Sequence, residues 1–122
     1  MKHTSENYDN LLNSIIKQFL DTYKISITGE PEIISHTLFN QNHYETGFRL
    51  VHSITLYEVT FYFRFYNIGR EKRIEFQTVN NHKYFNIEVD FTELLIEMEK
   101  YWTHEINNDS KYGAKGTSKF LK

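Results

Sequence analysis

Three observations predict an α+β domain of two layers, with an N-terminal helix and a C-terminal helix packed on one face of a four- or five-stranded antiparallel meander sheet. Apolar residues recur at three- and four-residue intervals near both ends of the chain, the spacing that lines one side of a helix. Between these segments the period drops to two, as in half-buried strands, and short polar stretches divide the runs. Each helical stripe is apolar on one side only, so both helices need the same kind of cover, one face of the sheet.

The first helix begins near Ser5, and its stripe is Tyr8, Leu11, Leu12, Ile15, Ile16, Phe19, Leu20 and Tyr23. Ser5 can cap the first turn, and Glu6 and Asp9 sit where the positive end of the helix dipole favours carboxylates. The opposite face carries Asn7, Asn10, Asn13, Lys17, Gln18 and Asp21. Lys17 is its one basic residue, fewer than a membrane-surface helix needs, so the stripe is expected to face a core.

Gly29-Glu30-Pro31-Glu32 signals a turn, and residues 24–28 before it read as a linker or a short strand. Residues 33–39 read as the first strand and 40–43 as a loop. The stretch 46–67 has strand composition throughout, with no Gly or Pro after Gly47, and is too long for one strand. Phe48, Leu50, Ile54 and Leu56 share one parity, whereas Tyr57, Val59, Phe61, Phe63 and Phe65 share the other. Because strand side chains repeat every two residues, the shift requires a turn or bulge, expected at His52-Ser53 or at Leu56-Tyr57.

Asn67-Ile68-Gly69-Arg70 reads as a hairpin turn. A strand over 72–79 places Ile74 and Phe76 on one face, Asn80-Asn81-His82 turns, and a strand over 84–89 brings Phe85, Ile87 and Val89 to one side. Asp90-Phe91-Thr92-Glu93 has the form of a capping box. It opens a helix whose stripe is Phe91, Leu94, Leu95, Met98, Tyr101, Trp102 and Ile106. The helix is expected to end at Asn107, which gives a single domain over 1–107 and a flexible basic tail over 108–122.

Composition narrows the function. At 122 residues the chain has room for one core, and Leu, Ile, Val and Phe supply 35 of them, enough to fold. No run of 18 apolar residues occurs and the start has no signal-peptide pattern, so a cytoplasmic location with no membrane span is expected. The absence of cysteine excludes disulfides, thiolate metal sites and cysteine nucleophiles. A net charge of −2 provides no overall field for nucleic acid or anionic membrane. The Asn, Lys, Ile and Tyr bias is that of an AT-rich genome, such as a low-GC bacterium or its phage.

Catalytic signatures are thin. His3, His36, His43, His52, His82 and His104 show no metal-ligand spacing, the glycines form no phosphate-binding loop, and no serine lies in a nucleophile elbow. No metal or cofactor is therefore expected. If the chain is an enzyme, His36 and His52 beside Glu45 and Glu58 are its best candidates. The carboxylates Glu93, Glu97, Glu99 and Glu105 read as an exposed acidic helix face.

The sheet side away from the helices is more informative. With Val59, Phe61, Phe63 and Phe65 facing the helices, that side carries Glu58, Thr60, Tyr62, Arg64 and Tyr66, joined by Arg73, Glu75, Gln77, Tyr84, Asn86 and Glu88. Tyr and Arg concentrate binding energy at protein interfaces, so Tyr62, Arg64, Tyr66, Arg73 and Tyr84 are the expected partner-binding residues. Glu58, Glu75 and Glu88 on the same face would repel phosphate, which argues against an RNA platform. Two basic clusters, Arg70, Lys72 and Arg73 at the hairpin and Lys111, Lys115, Lys119 and Lys122 along the tail, stand against an acidic segment over 88–105, a polarity that could steer a charged partner.

These features point to a small non-enzymatic protein-binding module, such as a stoichiometric inhibitor or immunity-type protein, acting on a protein partner or as a homodimer. The alternatives are a small-molecule binder or enzyme with a pocket between sheet and helices, and a nucleic-acid accessory protein using the basic tail.

Overall fold

The computed structural model describes residues 5–38, 43–68, 71–78 and 82–112. In chain order they form α1 (Ser5–Tyr23), β1 (Glu32–Leu38), β2 (His43–Val51), β3 (Glu58–Ile68), β4 (Glu71–Gln77), β5 (His82–Asn86) and α2 (Phe91–Tyr112). The five strands are antiparallel and lie in the order β1-β2-β3-β4-β5. The expected two-layer α+β arrangement is therefore the observed one.

The core forms where the helical stripes meet the predicted face of the sheet. Leu12, Ile15, Ile16 and Phe19 from α1 and Leu94, Leu95, Met98, Tyr101 and Trp102 from α2 are buried with Val59, Phe61, Phe63 and Phe65 of β3. Register stacks the sheet's contribution in rows, with Phe48 opposite Phe61 and Phe63 opposite Phe76. Phe61 is the meeting point. Its ring stacks on Phe48 at 4.9 Å and meets Phe19 of α1 and Tyr101 of α2 edge-on, each at 5.4 Å.

The break inside 46–67 is a tight turn spanning both of the expected positions. His52 N–H donates to the Tyr57 carbonyl at 2.9 Å and Leu56 N–H to the His52 carbonyl at 3.0 Å. Leu56 takes a positive φ of 63°, a conformation that carries strain for a branched residue. Ile54 and Leu56, grouped by parity with Phe48 and Leu50, thus sit in the turn and are exposed, not core-facing. The 24–28 segment is a linker with one bridge, Ile27 to His52.

β2 begins at His43, expected as loop, and β5 at His82, expected as turn; two further boundaries differ from expectation for a visible reason. The last strand ends at Asn86, not Val89, because the Asn86 side-chain oxygen accepts from the N–H groups of Glu88 and Val89 at 2.8 and 3.2 Å. This local turn competes with the strand ladder and leaves Val89 exposed. Asp90 takes part in the same turn, its Oδ2 accepting from Asn86 N–H at 2.9 Å. At the other end, α2 continues past Asn107 to Tyr112. Asn, Asp and Ser disfavour a helix only mildly, and no Gly or Pro intervenes before Gly113. The Ser5 side chain, Phe39, the turn positions 69–70 and 79–81, and the tail from 113 lie outside the described residues.

The two faces of β3 should respond differently to truncation. Phe61→Ala is expected to cost about 3–5 kcal/mol by leaving a cavity under both helices, whereas Tyr62→Ala, one residue on, costs less than about 1 kcal/mol. Urea unfolding of the two variants checks this, and the reverse order would mean the faces are exchanged.

Candidate functional site

The side of the sheet away from the helices is organised by strand register. Glu45 of β2 lies opposite Arg64 of β3, Arg64 opposite Glu75 of β4, and Glu75 opposite Tyr84 of β5. A neighbouring row places Tyr66 opposite Arg73 and Arg73 opposite Asn86.

Glu75 is the unusual member, a carboxylate only 1% exposed although it points to the outer side of the sheet. Its oxygens are met from three directions. Tyr66 hydroxyl donates to Oε1 at 3.0 Å, His82 Nδ1 bonds Oε2, and the Arg64 Nη1 lies 3.6 Å from Oε1. Arg64 is held in turn by Glu45, whose Oε2 accepts from Nε at 2.7 Å, while Arg64 Nη1 donates to the Tyr66 hydroxyl at 3.2 Å. The Tyr66 hydroxyl thus accepts from a guanidinium and donates to a carboxylate, which uses its bonding capacity in both directions.

Aromatic stacking extends the lattice towards β5. The Arg73 guanidinium lies 5.4 Å from the Tyr66 ring and 5.5 Å from the Tyr84 ring, and the two rings are 6.2 Å apart. These distances are in the range of cation–π attraction.

The electrostatics follow from this geometry. Burial alone would raise the Glu75 carboxyl, but the hydrogen bonds from His82 and Tyr66 and the charge of Arg64 outweigh it and hold the group below its ordinary value of 4.5. Burial pushes the Tyr66 hydroxyl up, so it remains a donor. The hydrogen bond to Tyr66 and the charge of Glu45 keep Arg64 firmly protonated against desolvation. An ionised carboxylate can only accept, so the proton in the His82–Glu75 bond belongs to Nδ1. The His82 side chain is otherwise 57% exposed.

Of the expected partner-binding residues, Arg64, Tyr66, Arg73 and Tyr84 come together in this lattice. Tyr62 lies further along β3, opposite Gly47 and Gln77, and is more than a third exposed. Gly47 is required there because a Cβ would stand 2.3 Å from the Phe61 carbonyl oxygen. Thr60, on the same side of β3, is buried, with Arg49 Nε reaching its hydroxyl at 3.5 Å. Glu45, Glu75 and His82 also belong to the site; sequence placed Glu75 on this face and named Glu45 as a catalytic candidate, but it named none of the three as partner-binding. The signal for them is the cross-strand register, which places Arg64 between two carboxylates.

Among the described residues, the catalytic candidates His52, Glu45 and Glu58 are each engaged elsewhere. His52 Nδ1 is engaged by Thr55 in the tight turn, Glu45 holds Arg64, and Glu58 lies 3.8 Å from Arg49. The His36 side chain is outside the described residues. Glu105, expected on an exposed acidic face, is buried and accepts from the Tyr57 hydroxyl at 3.3 Å. Among the described residues no group of three or more His, Asp or Glu is placed to hold a metal ion, and no helix is long and apolar enough to cross a membrane. Compared with known proteins, the chain matches no family model, no curated protein and no solved structure.

A depressed carboxyl contributes stability that is full above its unfolded-state value and is lost as pH falls through its folded-state value. Thermal or urea unfolding between pH 7 and pH 3 should therefore show wild-type stability falling below about pH 4.5. Glu75→Gln should flatten that part of the profile and cost about 1–3 kcal/mol at pH 7 by leaving its buried donors poorly met. An unchanged profile would show that Glu75 does not carry the linkage.

Proposed function

We propose that the chain is a non-enzymatic protein-binding module of the stoichiometric inhibitor or immunity type, working in the cytoplasm of a bacterium or its phage and docking its partner on the outer face of the sheet. The observation that carries this reading is the locked state of the face. Arg64, Tyr66, Arg73 and Tyr84 are held by hydrogen bonds and ring contacts around the buried Glu75 before any partner arrives. Side chains ordered in advance lose little entropy on docking, so more of their contact energy appears as affinity. Tyr and Arg are also the residues that most often dominate such energies.

A foreign protein or a second copy would meet this same face. The β1 edge is a poorer template for strand addition, because its register with β2 shifts between Ile34 and Thr37, and irregular edges resist pairing. Light scattering at micromolar concentration separates the occupants. A dimer that Tyr84→Ala dissociates identifies a second copy, whereas a monomer at every concentration removes self-association and favours a foreign partner.

The test uses residues whose loss spares the fold. The immobilised protein is expected to retain one host protein that the Tyr62→Ala, Arg73→Ala, Tyr84→Ala triple variant does not. Each single change should weaken the purified complex by about 1–4 kcal/mol in calorimetry. Arg64 and Tyr66 are poor probes, because removing either also strips a partner from Glu75. Unaltered affinity in all three variants, with the fold intact by circular dichroism, would place the interface elsewhere.

A further inference from the structure

On the helix side, between β4, β5 and α2, lies a cleft of about 200 Å³ lined by Phe76, Thr78, Lys83, Glu97, Lys100, Tyr101 and His104. Lys83 breaks the alternation of its strand. It lies opposite Phe76, at the parity where Phe85 is buried in the core, and its ammonium turns towards α2.

The charge at the rim does not cancel. Lys83 Nζ and Lys100 Nζ lie 3.2 and 3.4 Å from the same oxygen, Oε2 of Glu97. Two ammoniums share one carboxylate, and the imidazole of His104 completes the lining. The floor is aromatic and rigid. Phe76 and Tyr101 meet edge-to-face at 5.8 Å and 81°, Phe76 stacks on Phe63 at 5.4 Å, and the Tyr101 hydroxyl donates to the Thr60 carbonyl at 3.2 Å. Burial, followed by the charge of Glu105, raises that hydroxyl far above the usual tyrosine range, so it stays neutral and keeps its hydrogen bond.

We propose that this cleft binds a small aromatic anion, its ring on the Phe76–Tyr101 floor and its charged group against the Lys83 and Lys100 ammoniums, beside the Glu97 carboxylate that bridges them. The volume is below the roughly 300 Å³ at which drug-sized sites begin, which limits the ligand to about one ring. A further ring on this floor gains edge or offset contacts, and an anion takes up the surplus positive charge without displacing Glu97. The cleft lies on the other side of the sheet from the docking face, so this inference stands or falls independently of the proposed function.

The test is a ¹⁵N–¹H chemical-shift titration of the full chain with phenyl phosphate. Saturable shifts are expected at the amides of Thr78, Lys83, Lys100 and His104. Inorganic phosphate, which lacks the ring, and phenol, which lacks the charge, should each bind at least tenfold more weakly. Glu97→Gln keeps the side-chain volume, frees both ammoniums and should tighten phenyl phosphate at least threefold, whereas Lys83→Gln should weaken it at least tenfold. Shifts that do not saturate, that fall outside the cleft, or that weaken in Glu97→Gln would overturn the proposal. Glu97→Gln decides the matter even if Lys83→Gln fails to fold.

Discussion

A carboxylate withdrawn from water has to be met by donors or give up its charge. Glu75 meets that requirement on the outer side of a sheet, where a glutamate would ordinarily be solvated. Tyr66, His82 and Arg64 satisfy it, and each is thereby fixed in one orientation. Glu45 holds Arg64, and the Arg73 guanidinium lies over the rings of both Tyr66 and Tyr84. The arrangement of the face thus follows from the burial of one acid.

The same register serves both sides of the sheet. Arg64 faces Glu75 only because Phe63 faces Phe76 and Phe65 faces Ile74 on the other side. A one-residue slip would carry Glu75 into the aromatic core and turn Phe76 out to water, so core packing specifies the polar lattice as firmly as its hydrogen bonds do. The rows of stacked rings around Phe61 anchor that register, and α1 and α2 cover them from one side.

Much of this architecture was legible in the sequence, for reasons local to each segment. The helical stripes from Leu11 to Tyr23 and from Phe91 to Ile106 state their period within a few turns, and the parity shift between Leu50 and Val59 required a break between two strands. The face of β3 followed from five aromatic or branched residues in alternation. What escaped depended on contacts across strands or on short-range competition. Glu75 looked like one more surface acid because its burial comes from Tyr66, Arg64 and His82, which lie seven to eleven residues away in sequence. The end of β5 was misplaced because the Asn86 side chain diverts the backbone, and periodicity does not register such a turn. Glu105 appeared exposed because its partner, Tyr57, lies on a distant turn.

The organising role of Glu75 has a direct spectroscopic signature in the histidine it holds. With the full chain labelled at the imidazole nitrogens, ¹⁵N chemical shifts should show neutral His82 carrying its proton on Nδ1, bonded to Glu75. In Glu75→Gln the same ring should lose that preference. A neutral His82 protonated at Nε2 in the wild-type protein, or one whose tautomer ignores the Glu75 substitution, would contradict the account of a face ordered by one buried carboxylate.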